Sequence, residues 1–209
     1  MIHTIFFDLD NTLYSRKSGI WEAIGGRISI FMHEVLGIAE QDVMPLRLRF
    51  RDEYSTTLMG LKSMYTVDER QYLDFVHDVD LSSLLINDGR LRSMLSGISQ
   101  RKVIFTNSDS THAKRVLSFL EIDDFFDPIV DVVAMQPYVK PQPQAYRIAL
   151  DMAGLASPDG CMFVDDMLEN VEQAQREGFM AVYVGDEPVA YPTLKDIFEL
   201  PNLLDQLGI

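Results

Sequence analysis

Three short apolar runs, each followed at once by polar residues, restrict the fold of this sequence more than any other feature. The runs are residues 2–7, 102–105 and 161–164. Short apolar runs bounded by turn residues are typical of parallel strands that are covered on both faces. A fourth run, residues 181–184, has no acidic pair after it. The sequence therefore predicts four buried strands.

Helical patterns lie between these predicted strands. Apolar residues recur at helical spacing over residues 111–120 and 144–153, and a third pattern over residues 168–178 ends on a glycine. Asp109 or Ser110 is the predicted N-cap of the first of these helices, because a short polar side chain can accept a backbone hydrogen bond there. The alternation of strands and helices predicts an α/β fold with a parallel sheet.

Residues 15–85 differ from the rest of the chain. They contain no buried strand pattern, and their apolar residues recur at helical spacing. We interpret this segment as an all-helical insert between the first strand and the remaining sheet. The predicted domains are therefore a core formed by residues 1–14 and 86–209, and a helical domain formed by residues 15–85.

The polar residues after the first three runs define a predicted site. These clusters begin at Asp8, Thr106 and Asp165. In open parallel sheets, ligands bind beyond the carboxyl ends of the strands. If the three strands are neighbours, all three clusters meet at one edge of the sheet. Taken singly, a cluster is better interpreted as structural, with Asp8 and Asp10 as turn residues and Asp165 as a helix cap. Three such clusters together, each after a buried strand, favour a functional site.

Four carboxylates belong to these clusters, from Asp8, Asp10, Asp165 and Asp166. Residues two apart on an extended chain are separated by about 6.5 Å. Carboxylates at that separation repel, and each raises the pKa of the other when no cation is present. Mg²⁺ relieves this repulsion and prefers oxygen ligands. The clusters therefore indicate a magnesium site.

Lys140 lies directly before Pro141. A proline biases the preceding residue toward extended backbone, which holds the lysine at a defined position ahead of a predicted helix. Its ammonium group is a compact charge that can offset a phosphate group. A solvated lysine is the alternative interpretation, but a carboxylate-rich site that binds a phosphate dianion requires such a cation.

The chain resembles the haloacid dehalogenase-like (HAD) superfamily of phosphohydrolases, whose four motifs occur here in order. They are Asp8-Leu9-Asp10-Asn11-Thr12, then Thr106, then Lys140 before Pro141, and last Asp165-Asp166 with Asn170 further on. The resemblance covers the whole chain, including a cap-sized helical insert. Within the superfamily, the chain is most similar to the pyrimidine 5′-nucleotidase-like group, through residues 8–14, 50–61, 105–107 and 164–170.

This resemblance implies a Rossmann-like parallel sheet core of the HAD type, with a helical cap inserted after the first strand. It implies that Asp8 attacks phosphorus and forms an aspartyl-phosphate, as carboxylate nucleophiles do in other enzymes. Asp10 would protonate the departing alkoxide and then activate water, a role that requires a pKa near the working pH. The remaining assignments are Thr106 and Lys140 for catalysis, Asn107 and Ser108 for substrate binding, and Asp8, Asp10, Asp165 and Asp166 for Mg²⁺.

These roles predict a Mg²⁺-dependent phosphomonoesterase that acts on nucleoside 5′-monophosphates. Asp10 favours alcohol leaving groups, since haloacid dehalogenases lack this aspartate and transport ATPases typically carry threonine there. A phosphatase of small phosphorylated metabolites, such as phosphoglycolate or a sugar phosphate, is the first alternative, and a phosphomutase is the second. A non-catalytic protein that uses the fold as a scaffold is the alternative from another class.

The net charge of −14 argues against a nucleic acid polymer as a partner, because an acidic surface repels a polyanion. A small phosphorylated substrate remains compatible with this charge if local cations offset it. Cys161 is the single cysteine, so a reducing compartment is expected. No apolar stretch approaches the length of a membrane span. Together these features predict a cytoplasmic protein with no membrane partner, and they leave the oligomeric state open.

Overall fold

The computed structural model describes residues 2–208, and the chain divides into two compact units. The first unit comprises residues 2–17 and 85–208, and it contains the sheet. The second unit is Ser18–Leu84, and it is helical. No helix within residues 2–208 is both long enough and apolar enough to cross a membrane.

The first unit is built on a parallel sheet. In the described part of the chain its strands are β1 (Thr4–Phe7), β2 (Arg101–Phe105), β3 (Phe126–Val130), β4 (Cys161–Asp165), β5 (Met180–Val184) and β6 (Thr193–Leu194). Their order is β3-β2-β1-β4-β5-β6, and every pairing is parallel. The predicted α/β class is therefore confirmed. The order changes direction between β1 and β4, which is the point where open sheets of this kind bind ligands.

The second unit consists of helices joined by short turns. Its helices are α1 (Ile20–Ile30), α2 (Glu40–Tyr54), α3 (Thr57–Met64), α4 (Glu69–Val76) and α5 (Leu81–Leu84), and a π-helical turn (Phe31–Val35) continues α1. Thr56 and Asp68 cap α3 and α4, because their side chains accept hydrogen bonds from Met59 N and Gln71 N.

The helices of the first unit follow its strands. They are α6 (Arg90–Ser96), α7 (Ser110–Phe119), α8 (Pro143–Met152), α9 (Leu168–Arg176) and α10 (Leu200–Gln206), with short 3₁₀ turns at Asp123–Phe125 and Ile197–Glu199. A further 3₁₀ turn, Arg16–Ser18, spans the boundary between the two units along the chain. Asp109 is the N-cap of α7, as predicted, and accepts from the backbone N–H groups of Thr111 and His112. Pro143 begins α8, where the missing N–H of a proline costs nothing.

The sequence patterns do not predict β3 and β6. The apolar residues of β3 are interrupted by Asp127-Pro128, and a proline within a run argues against a strand when sequence is read alone. β3 lies at the edge of the sheet and pairs only with β2 among the described strands, so one of its sides needs no ladder hydrogen bond. β6 has two residues, which is too short to give a pattern.

An aromatic cluster fixes the strands that carry the site. Phe6, Phe105, Phe163 and Phe179 are almost fully buried, as is Tyr146 of α8. Their rings meet edge to face, with centroids 5.4 Å apart for Phe6 and Phe179 and 5.2 Å apart for Phe105 and Tyr146. Burying one such side chain stabilises a fold by about 1.5–3 kcal/mol. The ends of β1, β2 and β4 are thereby held in place.

Gly60 provides a stability test within the second unit. A Cβ added at Gly60 would lie 2.2 Å from Cγ and 2.4 Å from Cβ of the buried Phe50, which are not the mobile end of that side chain. We expect Gly60→Ala to destabilise the protein by about 1–3 kcal/mol, measured by urea unfolding. Gly26→Ala is the matched control, because a Cβ at Gly26 meets no described atom within 4 Å. Equal stability of the two variants would contradict this packing.

Candidate active site

The ends of three neighbouring strands bring the predicted clusters to one edge of the sheet. Phe7, the last residue of β1, is in register with Ile104 of β2 and with Val164 of β4. The backbone N–H of Asp8 donates to the carbonyl of Val164 at 2.9 Å, which extends the ladder by one residue. Asp8, Thr106 and Asp165 therefore leave the sheet side by side.

Asp8, Asp165 and Asp166 form a compact acidic group. All three residues are buried, and one carboxylate oxygen from each lies within 4.8 Å of the others. Oxygen atoms of this kind are the donors that Mg²⁺ prefers. The group therefore fits a divalent cation by its chemistry. The carboxylate of Asp10 does not belong to this group but accepts hydrogen bonds elsewhere in the site.

Lys140 is the cation of this cluster. Its side chain is 1% exposed, and Nζ lies 2.8 Å from Asp8 Oδ1 and 2.7 Å from Asp165 Oδ2. The rings of Phe105 and Phe163 lie 5.1 and 5.4 Å from Nζ, close enough for favourable cation–π contacts. Burial alone would lower the pKa of Lys140, but the charges of Asp165 and Asp8 raise it above its ordinary value. The ammonium group is therefore held in its charged form between two carboxylates.

The negative charges of Asp8 and Asp166 are only partly offset by nearby positive charges. Burial raises the pKa of Asp8 well above its ordinary value. The charge of Lys140 opposes this shift, and the charges of Asp165 and Asp166 add to it. Burial and then the charge of Asp165 raise the pKa of Asp166 to about 6. An additional positive charge would relieve both effects, because an opposite charge nearby favours the ionised form. The electrostatics of the group, like its donor atoms, thus suit a divalent cation.

The residues after β2 are brought to the same edge. Thr106 is 1% exposed, and its hydroxyl accepts from the backbone N–H of Ser108 at 3.0 Å. The side-chain amide of Asn107 binds the backbone of Lys140, with its oxygen accepting from Lys140 N at 2.9 Å and its nitrogen donating to Lys140 O at 3.0 Å. The Asn107 side chain thus positions Lys140, and the hydroxyl of Ser108 donates to Asp10.

Asp8 and Asp165 are also oriented by neutral donors. Thr12 donates to Asp8 Oδ2 at 3.1 Å. Asp165 Oδ1 accepts from the backbone N–H of Met167 at 2.7 Å, and Asn170 Nδ2 lies 3.1 and 3.0 Å from its two oxygens. A carboxyl group in the place of Asn170 would add a further negative charge against Asp165, whereas the amide donates a hydrogen bond to it.

Asp10 is held by three donors, two of which sequence reasoning missed. Its Oδ1 accepts from the hydroxyl of Tyr14 and lies 2.9 Å from Nε2 of His112, while Oδ2 accepts from Ser108. Burial alone would raise the pKa of Asp10, but the charge and hydrogen bond of His112, with the other two donors, lower it below its ordinary value. The expected pKa near the working pH is therefore not found in this state of the site.

His112 could have been found from the sequence. Asp109 was a predicted N-cap, and a helix that begins there places His112 in its first turn, beside the end of β2. That first turn lies at the same sheet edge as the site. The four histidines of the chain, His3, His33, His77 and His112, have no spacing typical of a metal site, and their pattern predicts no role for His112 in binding a carboxylate.

Arg16 is a third residue that the sequence analysis missed. Its Nη2 lies 2.9 Å from Asp166 Oδ2, although the Arg16 side chain is 64% exposed. No sequence signal marks this arginine, because the contact joins residues 150 positions apart. A largely exposed ion pair of this kind contributes little to stability. Arg16 is nevertheless relevant to the site, because it contacts Asp166, a candidate metal ligand.

Comparisons with known proteins show the family to which this chain belongs. Residues 2–178 match a family model described as haloacid dehalogenase-like hydrolase. The chain is also 30% identical, over 230 aligned positions, to Phosphate metabolism protein 8 of Saccharomyces cerevisiae, an alignment that covers 96% of this chain and 72% of the yeast protein.

Solved structures with this fold have different activities. A HAD phosphatase from Thermococcus onnurineus aligns with a TM-score of 0.67 at 16% identity, covering 97% of this chain and 98% of its own. The HAD-hydrolase YfnB of Bacillus subtilis, bound to magnesium, gives 0.67 at 16% identity, covering 98% and 99%. L-2-haloacid dehalogenase from Xanthobacter autotrophicus gives 0.63 at 17% identity, covering 98% and 99%. At these identities the likeness shows the fold, so the chemistry must be argued from the site.

Proposed function

Because this chain belongs to the haloacid dehalogenase-like hydrolase family, we propose that it is a Mg²⁺-dependent phosphatase that hydrolyses phosphate monoesters through an aspartyl-phosphate on Asp8. One observation carries the proposal. The buried Asp8 carboxylate contacts Lys140 and lies within one acidic group with Asp165 and Asp166. A nucleophile, a fixed cation and the donors for a divalent metal are therefore combined at one sheet edge.

In the first step, an oxygen of Asp8 attacks phosphorus while the bond from phosphorus to the leaving alkoxide breaks. Asp10 gives its proton to that alkoxide. In the second step, Asp10 takes a proton from water, whose oxygen attacks phosphorus and displaces the Asp8 carboxylate, so that phosphate is released. The lowered pKa of Asp10 suits the second step. Arrival of a phosphate dianion is expected to raise that pKa, because a nearby negative charge disfavours ionisation.

Charge stabilisation is assigned to the residues around Asp8. A phosphate monoester carries about −1.5 to −2 at neutral pH, and the attacking carboxylate adds a further negative charge. Lys140 is proposed to offset both charges. Thr106, with the backbone N–H groups around Asn107, is proposed to bind the phosphate oxygens. Positioning and charge stabilisation of this kind supply most of the catalysis in phosphoryl transfer.

Mg²⁺ is proposed to be held by Asp8, Asp166 and the backbone carbonyl of Asp10, with Asp165 acting through a water. When bound, the ion would supply positive charge against the phosphate oxygens and the surrounding carboxylates. The raised pKa values of Asp8 and Asp166 support this assignment, since both carboxyl groups lack sufficient compensating charge.

Asp166→Asn tests the metal assignment. We expect the affinity for Mg²⁺ to fall about 10–100-fold, because a charged oxygen ligand is replaced by a neutral amide; losses of this size follow even from weaker changes around metal ligands. Titration calorimetry measures the affinity without any need for turnover. Asp151→Asn, an exposed aspartate on α8, is the control. Unchanged Mg²⁺ affinity in Asp166→Asn would contradict the assignment.

Nucleoside 5′-monophosphates are the proposed substrates, on the basis of the resemblance to the pyrimidine 5′-nucleotidase-like group. The similarity to a yeast protein named for phosphate metabolism supports a phosphate substrate without identifying it. We propose that Ser18–Leu84 is the cap that selects the substrate. Phosphoglycolate and sugar phosphates remain the alternative substrates, and a phosphomutase is the alternative reaction.

A phosphate-release screen tests the proposed function. The purified chain would be assayed with nucleoside monophosphates, sugar phosphates and short phosphorylated acids, each with Mg²⁺ and with EDTA. We expect Mg²⁺-dependent release that is highest on the nucleoside monophosphates. An isomerised sugar phosphate without net release would indicate a mutase. No Mg²⁺-dependent activity across the panel would instead favour a non-catalytic binding protein.

A further inference from the structure

We infer that His112 is a positioning residue for Asp10, which it holds in the orientation that general acid catalysis requires. This inference rests on the proposed function, because it assigns a role toward the acid of that reaction. His112 is completely buried, and its Nε2 lies 2.9 Å from Asp10 Oδ1. The two residues are 102 positions apart in the sequence, so the contact depends on the tertiary fold.

The backbone of His112 is itself fixed. It lies in the first turn of α7, where the Asp109 side chain accepts from His112 N at 3.2 Å and from Thr111 N at 3.3 Å. The adjacent Ser110 N donates to Asp131 Oδ2 at 2.7 Å. These hydrogen bonds fix the first turn of α7, so the backbone that carries the His112 imidazole is held in place next to Asp10.

The hydrogen bonds of Asp10 show why His112 matters to its orientation. Tyr14 belongs to the same loop as Asp10, whereas His112 and Ser108 belong to the segment after β2. When Asp10 is ionised it only accepts hydrogen bonds, and Nε2 of His112 then carries the hydrogen in this contact. His112 and Tyr14 share Oδ1, and Ser108 binds Oδ2, which fixes the rotation of the carboxylate. Loss of His112 would leave Oδ1 to a donor from its own loop.

Misorientation of a general acid has a specific kinetic signature. A poor leaving group, such as an alkyl alkoxide, needs a proton as its bond to phosphorus breaks, whereas p-nitrophenolate is stable without one. A positioned acid contributes about 10²–10⁴-fold to rate. A variant that loses only the position of Asp10 therefore slows alkyl phosphates far more than p-nitrophenyl phosphate. A general loss of folding or of substrate binding slows both alike.

The test compares His112→Leu with His112→Gln on both esters in the presence of Mg²⁺. For His112→Leu we expect kcat/KM to fall about 100-fold on an alkyl phosphate and by less than about 10-fold on p-nitrophenyl phosphate. The amide of His112→Gln can donate from nearly the same place, so it should restore much of the alkyl activity. Thr111→Val, an exposed position whose side chain makes no contact in this argument, controls for changes in α7.

Each outcome decides a different point. Equal losses on the two esters in a folded His112→Leu protein would overturn the inference while leaving the proposed function intact. If His112→Leu does not fold, His112→Asn replaces it, since its shorter amide cannot reach Asp10 and should show the same selective loss that His112→Gln repairs. A wild-type protein that releases no phosphate from either ester would overturn the proposed function, and the inference with it.

Discussion

The Asp8→Asn variant is expected to fold normally and to lose turnover by a factor on the order of 10⁴–10⁶, as other enzymes do without their nucleophile. Asparagine keeps the shape of aspartate, and its carbonyl oxygen can still accept from Thr12 or Lys140. It cannot form the acyl phosphate, because an amide oxygen is a poor nucleophile. Lys140 also keeps its contact with Asp165, so the buried ammonium remains paired.

Two measurements separate loss of chemistry from loss of structure. Thermal unfolding should give a similar midpoint for Asp8→Asn and the wild-type protein. Acid-quenched wild-type enzyme should carry a phosphoryl group that hydroxylamine removes, and the variant should carry none. Asp151→Asn is the control for replacing an aspartate outside the site. Turnover that persists in Asp8→Asn, and in Asp8→Ala, would refute Asp8 as the nucleophile.

Lys140→Met is expected to reduce both stability and turnover. Methionine replaces the aliphatic part of lysine between Phe105 and Phe163, but it leaves the carboxylates of Asp8 and Asp165 buried without their cation. Removing one partner of a buried ion pair costs about 3–5 kcal/mol. Loss of a group that offsets charge in the transition state reduces kcat by about 10²–10³-fold. We expect both losses in this single variant.

The stability loss of Lys140→Met should depend on pH and on metal. Burial raises the pKa of Asp8 above that of the unfolded chain, and the loss of Lys140 removes the main opposing charge. The folded variant then binds more protons than the unfolded chain, so its stability falls as pH rises. Urea unfolding in EDTA should therefore show a larger deficit at pH 8 than at pH 5. Saturating Mg²⁺ should recover part of the deficit by binding only the folded state.

Two further variants make the Lys140 prediction specific. Lys102→Met replaces another buried lysine of the same unit, whose Nζ donates to the carbonyls of Ile98 and Gln100 rather than to carboxylates. It should lose some stability without losing turnover. Lys140→Met combined with Asp165→Asn removes both charges of one pair and should regain stability over Lys140→Met alone. If the double variant is no more stable, the burial of a carboxylate without its cation is not the cause of the stability loss.

The site divides into residues that sequence could identify and residues that it could not. Asp8, Thr106 and Asp165 each follow a buried strand directly, so the sequence shows both their chemistry and their place at a strand end. Lys140 is marked by Pro141. The sequence places His112 only indirectly, through the predicted N-cap at Asp109, and it does not mark Arg16, because the contacts of both residues join distant segments. Which donor meets which carboxylate depends on strand order, and strand order does not follow from local pattern.

The class of the fold and the chemistry available to it follow from the sequence alone. Apolar runs of strand length and helical repeats are local properties, since each reflects how one segment buries its own apolar side chains. How that chemistry is combined depends on the three-dimensional arrangement of the strands. The pairing of β1 with both β2 and β4 places an ammonium between Asp8 and Asp165 and a histidine against Asp10. Charges interact through space, and a one-dimensional pattern records no distances between segments that are far apart in the chain.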